Sequence, residues 1–304
     1  MLPFKVHILG CGSALPTLRH NPAAQVVEAH NRLFLVDCGE GTQLQLRRQH
    51  VAIGRIAHIF ISHLHGDHVF GLPCLLTTLA MLGRKGELHI HAFAELERML
   101  APMLKFHMRG AELRPVFHTI STQGHETVYE DKAFIIRTIQ LHHRVPCVGF
   151  IFQEKQPLPH IRHDMIDFLN IPHYAINAIK EGGGWTTEEG QFYPHERLVT
   201  PNHPARTYVY MSDTLPCPEH IETVRNADLL YHESTFCEDK AARAAETCHS
   251  TASQAATFAR DAAVKRLLIG HYSARYLDEK GFLSEASAIF PNTIAAQEGM
   301  TVDV

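Results

Sequence analysis

Positive charge is scarce in this chain. Its 304 residues carry 28 Lys and Arg against 32 Asp and Glu, a formal net charge of −4. Bulk electrostatic attraction to nucleic acid is thereby excluded, so a polyanionic substrate would need a local basic patch or metal ions. Long apolar runs are missing as well. None approaches the ~18 residues of a membrane-spanning helix. The N-terminus MLPFKVHILG has no charged start, apolar h-region or cleavage site. A soluble cytoplasmic protein with no membrane partner is expected. There is no Cys-x-x-Cys pair. The seven cysteines (Cys11, Cys38, Cys74, Cys147, Cys217, Cys237 and Cys248) are scattered and odd in number, which points to buried free thiols in a reducing compartment. No internal repeat or low-complexity tract is visible, and Trp185 is the only tryptophan.

Histidine is what the chain has in plenty: 24 residues, many for a protein with 28 Lys and Arg. Imidazole is the commonest metal ligand, so this excess directs attention to metal. Three histidines and an aspartate fall in Ser62-His63-Leu64-His65-Gly66-Asp67-His68, directly after the apolar run Ile56–Ile61. His63 and His65 are two apart, so in an extended segment both point the same way and can meet one ion. His68 follows at a helix start and can face a second ion beside Asp67. These nitrogen and oxygen ligands suit zinc or a similar divalent metal. Four ligands in six residues cannot enclose one tetrahedral ion, so others must come from elsewhere. The histidines at 143 and 271 and the carboxylate at 213 are candidates. Asp213 could bridge two ions ~3.5–4 Å apart, the spacing of two-metal hydrolytic sites.

The rest of the chain reads as a β-rich first part followed by alternating strands and helices. Strands are expected at Lys5–Leu9, Ala24–Ala29, Arg32–Val36, Arg55–Ile61, Leu88–Phe93, Val116–Ile120, Ala133–Leu141, Cys147–Gln153, Thr207–Met211, Asp228–Tyr231, Lys265–Ile269, Thr293–Gln297 and Met300–Val304. Helices are expected at Thr42–Arg48, Leu72–Leu82, Glu95–Leu104, Pro218–Arg225 and Ala252–Ala263, the last capped by Ser250 or Thr251. Five strands end in a polar group, at His63, His143, Asp213, Glu233 and His271, which is how layered α/β folds assemble a site. Glu154–Ala205 breaks the pattern. It holds six prolines and Gly182-Gly183-Gly184, and about fifty residues without clear periodicity are long for a connector. It reads as an insertion with local helix at Ile161–Leu169 rather than a separate domain.

At the level of motifs, His-x-His-x-Asp-His after an apolar strand resembles the metallo-β-lactamase superfamily signature. The longer run Phe60–Pro73 is similar to ribonuclease Z, the endonuclease that trims 3′ trailers from precursor tRNA. Phe34–Gln43 resembles that family's second motif. Ser212-Asp213-Thr214 resembles its Gly-Asp-Thr, His232-Glu233-Ser234-Thr235 its His-Glu-Ala-Thr loop, and His249-Ser250-Thr251 its His-Ser-Thr loop. Gly270–Tyr276 resembles its last ligand motif. The resemblance implies an αββα sandwich in which a single domain, residues 1–304, carries residues 154–205 as a protruding, exosite-like arm.

It also implies two zinc ions per subunit. His63, His65 and His143 would hold one and Asp67, His68 and His271 the other, with Asp213 bridging. His143 fits this pattern better than His142 because it precedes Arg144-Val145-Pro146-Cys147 at the right spacing. Two such ions make a shared water acidic enough to ionise near neutral pH and neutralise charge on the phosphoryl oxygens. Asp67 would orient or deprotonate that water. The resemblance assigns the proton for the departing 3′ oxygen to His249, with Glu233 behind it to keep it charged and aimed. A homodimer is expected from the family, and precursor tRNA is the expected partner.

The loop Pro16–Asn21 resembles the family loop that senses the tRNA 3′ end, which nominates Thr17, Arg19 and Asn21 as substrate contacts, although His20 splits the usual Arg-Asn. The arm lacks a Gly-Pro tip and has few basic residues, Lys155, Arg162, Lys180 and Arg197, so it grips RNA differently or serves another contact. The competing readings are a phosphodiesterase for small esters on the same site, a non-catalytic RNA-binding or scaffold protein, and a thioester or lactam hydrolase. The last leaves Glu233 and His249 without a purpose.

Overall fold

The computed structural model describes residues 2–304. Residues 2–153 and 206–304 make one compact unit and 154–205 another. The larger unit is built on two seven-stranded sheets. The first sheet runs, edge to edge, through Thr301–Asp303, Phe4–Gly10, Ala24–Ala29, Arg32–Val36, Ile56–Phe60, Gly86–Ala92 and Leu113–Thr119. Its early strands pair antiparallel, and the last four are mutually parallel. The second runs through Thr293–Ala295, Leu267–Gly270, Leu229–Glu233, Thr207–Met211, Cys147–Glu154, Phe134–Leu141 and Thr127–Glu130. Its first four strands are parallel, and Cys147–Glu154 pairs antiparallel with Thr207–Met211.

Side chains alternate across each strand, so one run of apolar residues feeds two layers. Phe34, Val36 and Phe60 point between the sheets, whereas Leu33, Leu35, Ile59 and Ile61 point to the outer face. Between the sheets Phe60 meets Phe150 at 5.5 Å, and Phe34 meets Phe152 at 5.9 Å, with tilted rings. On the outer face Leu46, Leu72, Leu76, Leu79, Leu96 and Leu100 pack from the helices Thr42–Arg48, Leu72–Met81 and Glu95–His107. The second sheet is covered by Ala252–Asp261 and Lys280–Ile289, through Ala255, Ala256, Ala259, Phe282 and Ala286. Thr251 caps the former helix in a full capping box with Gln254, which fixes where His249 leaves the chain.

Parallel pairing aligns the carboxyl ends of Thr207–Met211, Leu229–Glu233 and Leu267–Gly270 in the second sheet, and in the first it aligns the end of Ile56–Phe60 with that of Arg32–Val36. The polar loops that follow them therefore emerge on the site. The helix expected at Pro218–Arg225 is a 3₁₀ turn, Pro218–His220, followed by one helical turn, Ile221–Val224. Outside residues 154–205, the strand Thr127–Glu130, the helices Ala241–Thr247 and Lys280–Ile289 and the 3₁₀ turns Ile53–Arg55 and Glu238–Lys240 escaped the sequence reading, and the helix start expected at His68 lies within the short helix Gly66–Val69.

Residues 154–205 have an apolar cluster of their own, made by Leu169, Ile171, Ala175, Ile179, Leu198 and Val199. Around it stand the short helices His163–Phe168 and Ile176–Lys180 and two two-stranded pairings, His160–Ile161 with Val199–Thr200 and Trp185–Thr186 with Phe192–Tyr193.

Phe152 is fully buried between the sheets. Phe152→Ala is expected to destabilise the chain by about 3–5 kcal/mol through lost burial and a residual cavity. Phe152→Leu should cost clearly less. Midpoints of chemical denaturation would separate the two, and equal midpoints would show that the inter-sheet ring packing contributes little.

Candidate metal centre

The segment after Ile56–Phe60 is held by close backbone contact with the loop after Arg32–Val36. Cys38 N donates to His68 O at 2.8 Å, and Gly71 N donates to Cys38 O at 2.9 Å. A β-carbon on Gly71 would lie 2.0 Å from Gly39 O, so the approach requires glycine. Asp37, Asp213 and His271 all sit at positive φ, 57°, 37° and 64°. For non-glycine residues this costs about 1–3 kcal/mol each, and such strain persists at functional sites.

Two sets of ligand atoms converge. His63 Nε2 and His143 Nε2 lie 3.1 and 3.2 Å from His65 Nδ1, and 3.5 and 3.6 Å from Asp213 Oδ2. On the other side His68 Nε2 and His271 Nε2 lie 3.2 and 3.1 Å from Asp213 Oδ1, and each is 3.5 Å from Asp67 Oδ2. The structure thus gathers His63, His65, His143 and Asp213 in one group and Asp67, His68 and His271 in another, with the two oxygens of Asp213 divided between them. His142 is elsewhere: it is exposed and paired with Glu219.

Outer partners fix the tautomers. His143 Nδ1 donates to Cys248 O at 2.9 Å, and His68 Nδ1 donates to Asp37 Oδ2 at 2.7 Å. Ser62 Oγ gives its proton to Asp37, so it accepts from His63 Nδ1 at 3.1 Å. Thr235 Oγ1 gives its proton to Glu233 Oε2, so it accepts from His271 Nδ1 at 2.9 Å. In all four rings Nδ1 carries hydrogen and Nε2 presents a lone pair inward. The Nε2 atoms of His68 and His271 are buried and have no hydrogen-bond partner among the described residues. Facing lone pairs are relieved by a shared cation, and the nitrogen and carboxylate donors suit zinc or a similar divalent ion. The field agrees. Burial opposes charge on His68, yet Asp213, Asp37 and Asp67 outweigh it and raise its pKa well above the usual imidazole value. The residues present therefore fit two divalent ions.

A second network adjoins the first. Glu233, fully buried, accepts from His249 Nδ1 at 2.8 Å and from Thr214 N and Thr235 N. Burial disfavours a charged His249, but the Glu233 carboxylate prevails and holds its pKa at about 9. His249 and Asp67 line a cleft of about 160 Å³ with Asp213 and His271. An adjoining hollow of about 350 Å³ is lined by Pro16, Glu40, His65, Phe70 and Arg144.

Thr17, Arg19 and Asn21 line neither space. Thr17 Oγ1 accepts from the backbone N–H groups of Arg19 and His20. Arg19 reaches Tyr276 O, Leu277 O and Glu279, and Asn21 N donates to Glu298. The loop does touch the centre by its backbone, where Ala14 N donates to Asp67 Oδ2 at 2.8 Å. The basic groups of the cleft are Arg144, Arg243 and Arg275, which the sequence reading did not single out. Arg144 and Arg275 follow ligand histidines by one and four residues, and that adjacency was the available signal.

Two face-to-face sheets with a histidine and aspartate centre at their strand ends are the metallo-β-lactamase fold. The same fold is seen in human tRNase Z, short form, with a TM-score of 0.71 at 25% identity over 98% of each chain. YhfI from Bacillus subtilis also has it, with a TM-score of 0.70 at 18% identity, covering 99% of this chain and all of that one. Ribonuclease Z of Phocaeicola vulgatus is 52% identical over all 304 residues and 98% of its own length. That of Porphyromonas gingivalis is 48% identical over the whole of both chains. The chain belongs to the ribonuclease Z family of enzymes. A family model described as anti-Pycsar protein Apyc1 also matches residues 4–159.

Asp37 touches no candidate ion, yet it holds His68. Asp37→Asn should weaken metal affinity about 10–100-fold, measured by competition with a chelator. Unchanged affinity would show that His68 is oriented by packing alone.

Proposed function

We propose that the chain is a zinc-dependent endoribonuclease that removes the 3′ trailer from precursor tRNA and leaves a 3′ hydroxyl. It would act in the cytoplasm as a homodimer, with residues 1–304 as one catalytic domain interrupted by an exosite at 154–205. The observation that carries the reading is the buried Glu233–His249 pair beside Asp67 and Asp213 in one cleft. A metal centre alone serves many hydrolyses. A second, carboxylate-backed imidazole is what a poor alkoxide leaving group needs. The ribonuclease Z relatives, matched over the whole chain, support the substrate.

His63, His65 and His143 would hold one ion and Asp67, His68 and His271 the other, with Asp213 between them. Divalent ions held there would acidify a water and neutralise charge on the phosphoryl oxygens. Asp67, fixed by the Ala14 N–H, orients the attacking water and takes its proton. Water oxygen bonds to phosphorus as the bond to the 3′ oxygen breaks. His249 gives that oxygen its proton, and Glu233 stabilises the imidazolium beforehand. Arg144, Arg243 and Arg275 supply local positive charge for flanking phosphates.

The acidic balance of residues 154–205, seven Asp and Glu against four Lys and Arg, favours a second reading, hydrolysis of small phosphodiesters on the same centre. Precursor tRNA with a 3′ trailer, incubated with zinc-loaded protein, decides between them. Trailer release supports the first reading. An intact trailer alongside hydrolysis of bis(p-nitrophenyl) phosphate establishes the second. His65→Ala should abolish both activities.

His249→Ala should lower kcat on tRNA by about 10²–10⁴-fold while leaving metal content unchanged. If it cuts as fast as wild type, the proton-donor role fails and the metal reading survives. The acid is active while protonated. With a pKa of about 9, kcat should hold through neutral pH and fall as pH rises through that value. Glu233→Gln removes the charge that raises the pKa, so its alkaline limb should move to lower pH. An unmoved limb would assign the ionisation to another group.

A further inference from the structure

We propose that Cys11, His20 and Glu298 form a further site for a divalent ion of the zinc type, apart from the centre at Asp213. The three residues come from segments far apart in the chain. Cys11 follows strand Phe4–Gly10, His20 lies in the Pro16–Asn21 loop, and Glu298 precedes strand Thr301–Asp303. Cys11 is fully buried and His20 is 6% exposed. Cys11 Sγ lies 3.3 Å from His20 Nδ1, which in turn lies 3.0 Å from Glu298 Oε2. Tetrahedral zinc holds sulfur, nitrogen and oxygen ligands about 3.3–3.5 Å from one another, so these donors close round an ion with little movement. The histidines of the Asp213 centre stand equally close, at 3.1 and 3.2 Å. Glu298 Oε1 is occupied by the Cys11 and Asn21 N–H groups, which aims Oε2 at the site. Ala296 O, 3.5 Å from the sulfur, can take the fourth position.

The surroundings are those of a metal ligand. His20 Nε2 donates to Glu279 Oε1 at 2.7 Å, and a carboxylate behind the far nitrogen is the usual outer partner of a ligand histidine. With hydrogen on Nε2, a neutral His20 turns its Nδ1 lone pair toward the sulfur and a carboxylate oxygen, and a cation relieves that crowding. The charges also close. A thiolate and the Glu298 carboxylate balance one divalent ion, and Arg19, 3.2 Å away, balances Glu279. Before an ion binds, burial and Glu298 hold the Cys11 thiol well above its usual pKa, so binding displaces that proton to solvent. A thiolate ligand selects zinc, or cobalt in its place, over magnesium, calcium or manganese. The competing arrangement is a metal-free imidazolium between two carboxylates, which satisfies Glu279 and Glu298 but gives the buried thiol no role. An ion here pins the segment whose Ala14 N–H holds Asp67 to the end of the chain. This inference is independent of the nuclease reading.

Cobalt(II) is the probe. A thiolate bound to it gives a charge-transfer absorption in the near ultraviolet, whereas the Asp213 centre offers only nitrogen and oxygen donors. The full chain, stripped by a chelator under reducing conditions and titrated with cobalt, should develop this band saturably. Cys11→Ser should abolish the band and lower the bound cobalt by one equivalent per chain. Cys217→Ser, which alters the other cysteine grouped with a histidine and a glutamate, should keep it. Glu279→Gln should weaken the affinity read from the band about 10–100-fold. A wild-type chain without the band overturns the proposal whether or not the variants fold, and establishes the metal-free imidazolium. A band that survives in Cys11→Ser overturns it by placing the thiolate elsewhere. Equal affinity in Glu279→Gln overturns it as well, because His20 is then not on the ion.

Discussion

The carboxylate of Asp37 accepts four hydrogen bonds: from Ser62 N at 2.8 Å, Ser62 Oγ at 2.9 Å, His68 Nδ1 at 2.7 Å and Tyr210 OH at 2.7 Å. Its own N–H donates to Phe60 O. A buried carboxylate left bare would cost several kcal/mol, so this one is tolerable only with all its donors in place. Those donors come from both sheets. Tyr210 lies on the second, while Ser62 and His68 follow a strand of the first. One charge therefore sets how the two strand ends face each other and which nitrogen of His68 is free. The inter-sheet rings supply the bulk of the burial, but aromatic packing alone tolerates small slips. The Asp37 network does not.

Asp213 repeats the device one layer inward. Its two oxygens are shared by four imidazoles, and its backbone is held at positive φ. Glu233 does the same for the acid side, and Thr235 joins the two, since its single hydroxyl serves Glu233, His249 and His271. His249 and His271, the proposed proton donor and a candidate metal ligand, are thus positioned by one threonine. A change there would disturb both roles together, which is the non-additive behaviour expected of a connected network.

Much of this was legible in the sequence because it rests on local patterning. The strands Ala24–Ala29, Arg32–Val36 and Thr207–Met211 and the helix Thr42–Arg48 have the bounds their periodicity suggests. The ligand histidines announce themselves by spacing, two apart after an apolar strand. What stayed hidden had no such signal. Ala241–Thr247 is an alanine-rich turn of helix with no apolar stripe, yet it carries Arg243 to the cleft. Helix Glu95–His107 runs three residues beyond the expected end at Leu104. The loop of Thr17, Arg19 and Asn21 shows the converse. Resemblance nominated these residues as substrate contacts; in the structure the Thr17 and Arg19 side chains bond within the loop and to the 276–279 segment, and Asn21 N donates to Glu298. A polar residue's type says that it needs a partner, and only the fold says whether that partner is protein or ligand. The second carboxylate oxygen of Asp213, Asp37 as a hub and the tautomers they impose are long-range facts of the same kind.

Charge is unevenly placed along the chain. The chain as a whole is mildly acidic, and the cleft is where arginines gather, at 144, 243 and 275. A polyanion entering the cleft would meet these three arginines close to the candidate metal centre. Affinity built this way depends on few phosphate contacts and so falls gently with salt. Discrimination must then come from shape at the cleft, which Asp67 and His249 line together. Residues 154–205 carry seven Asp and Glu against four Lys and Arg, so any contact they make with RNA must rest on shape and stacking rather than on net charge.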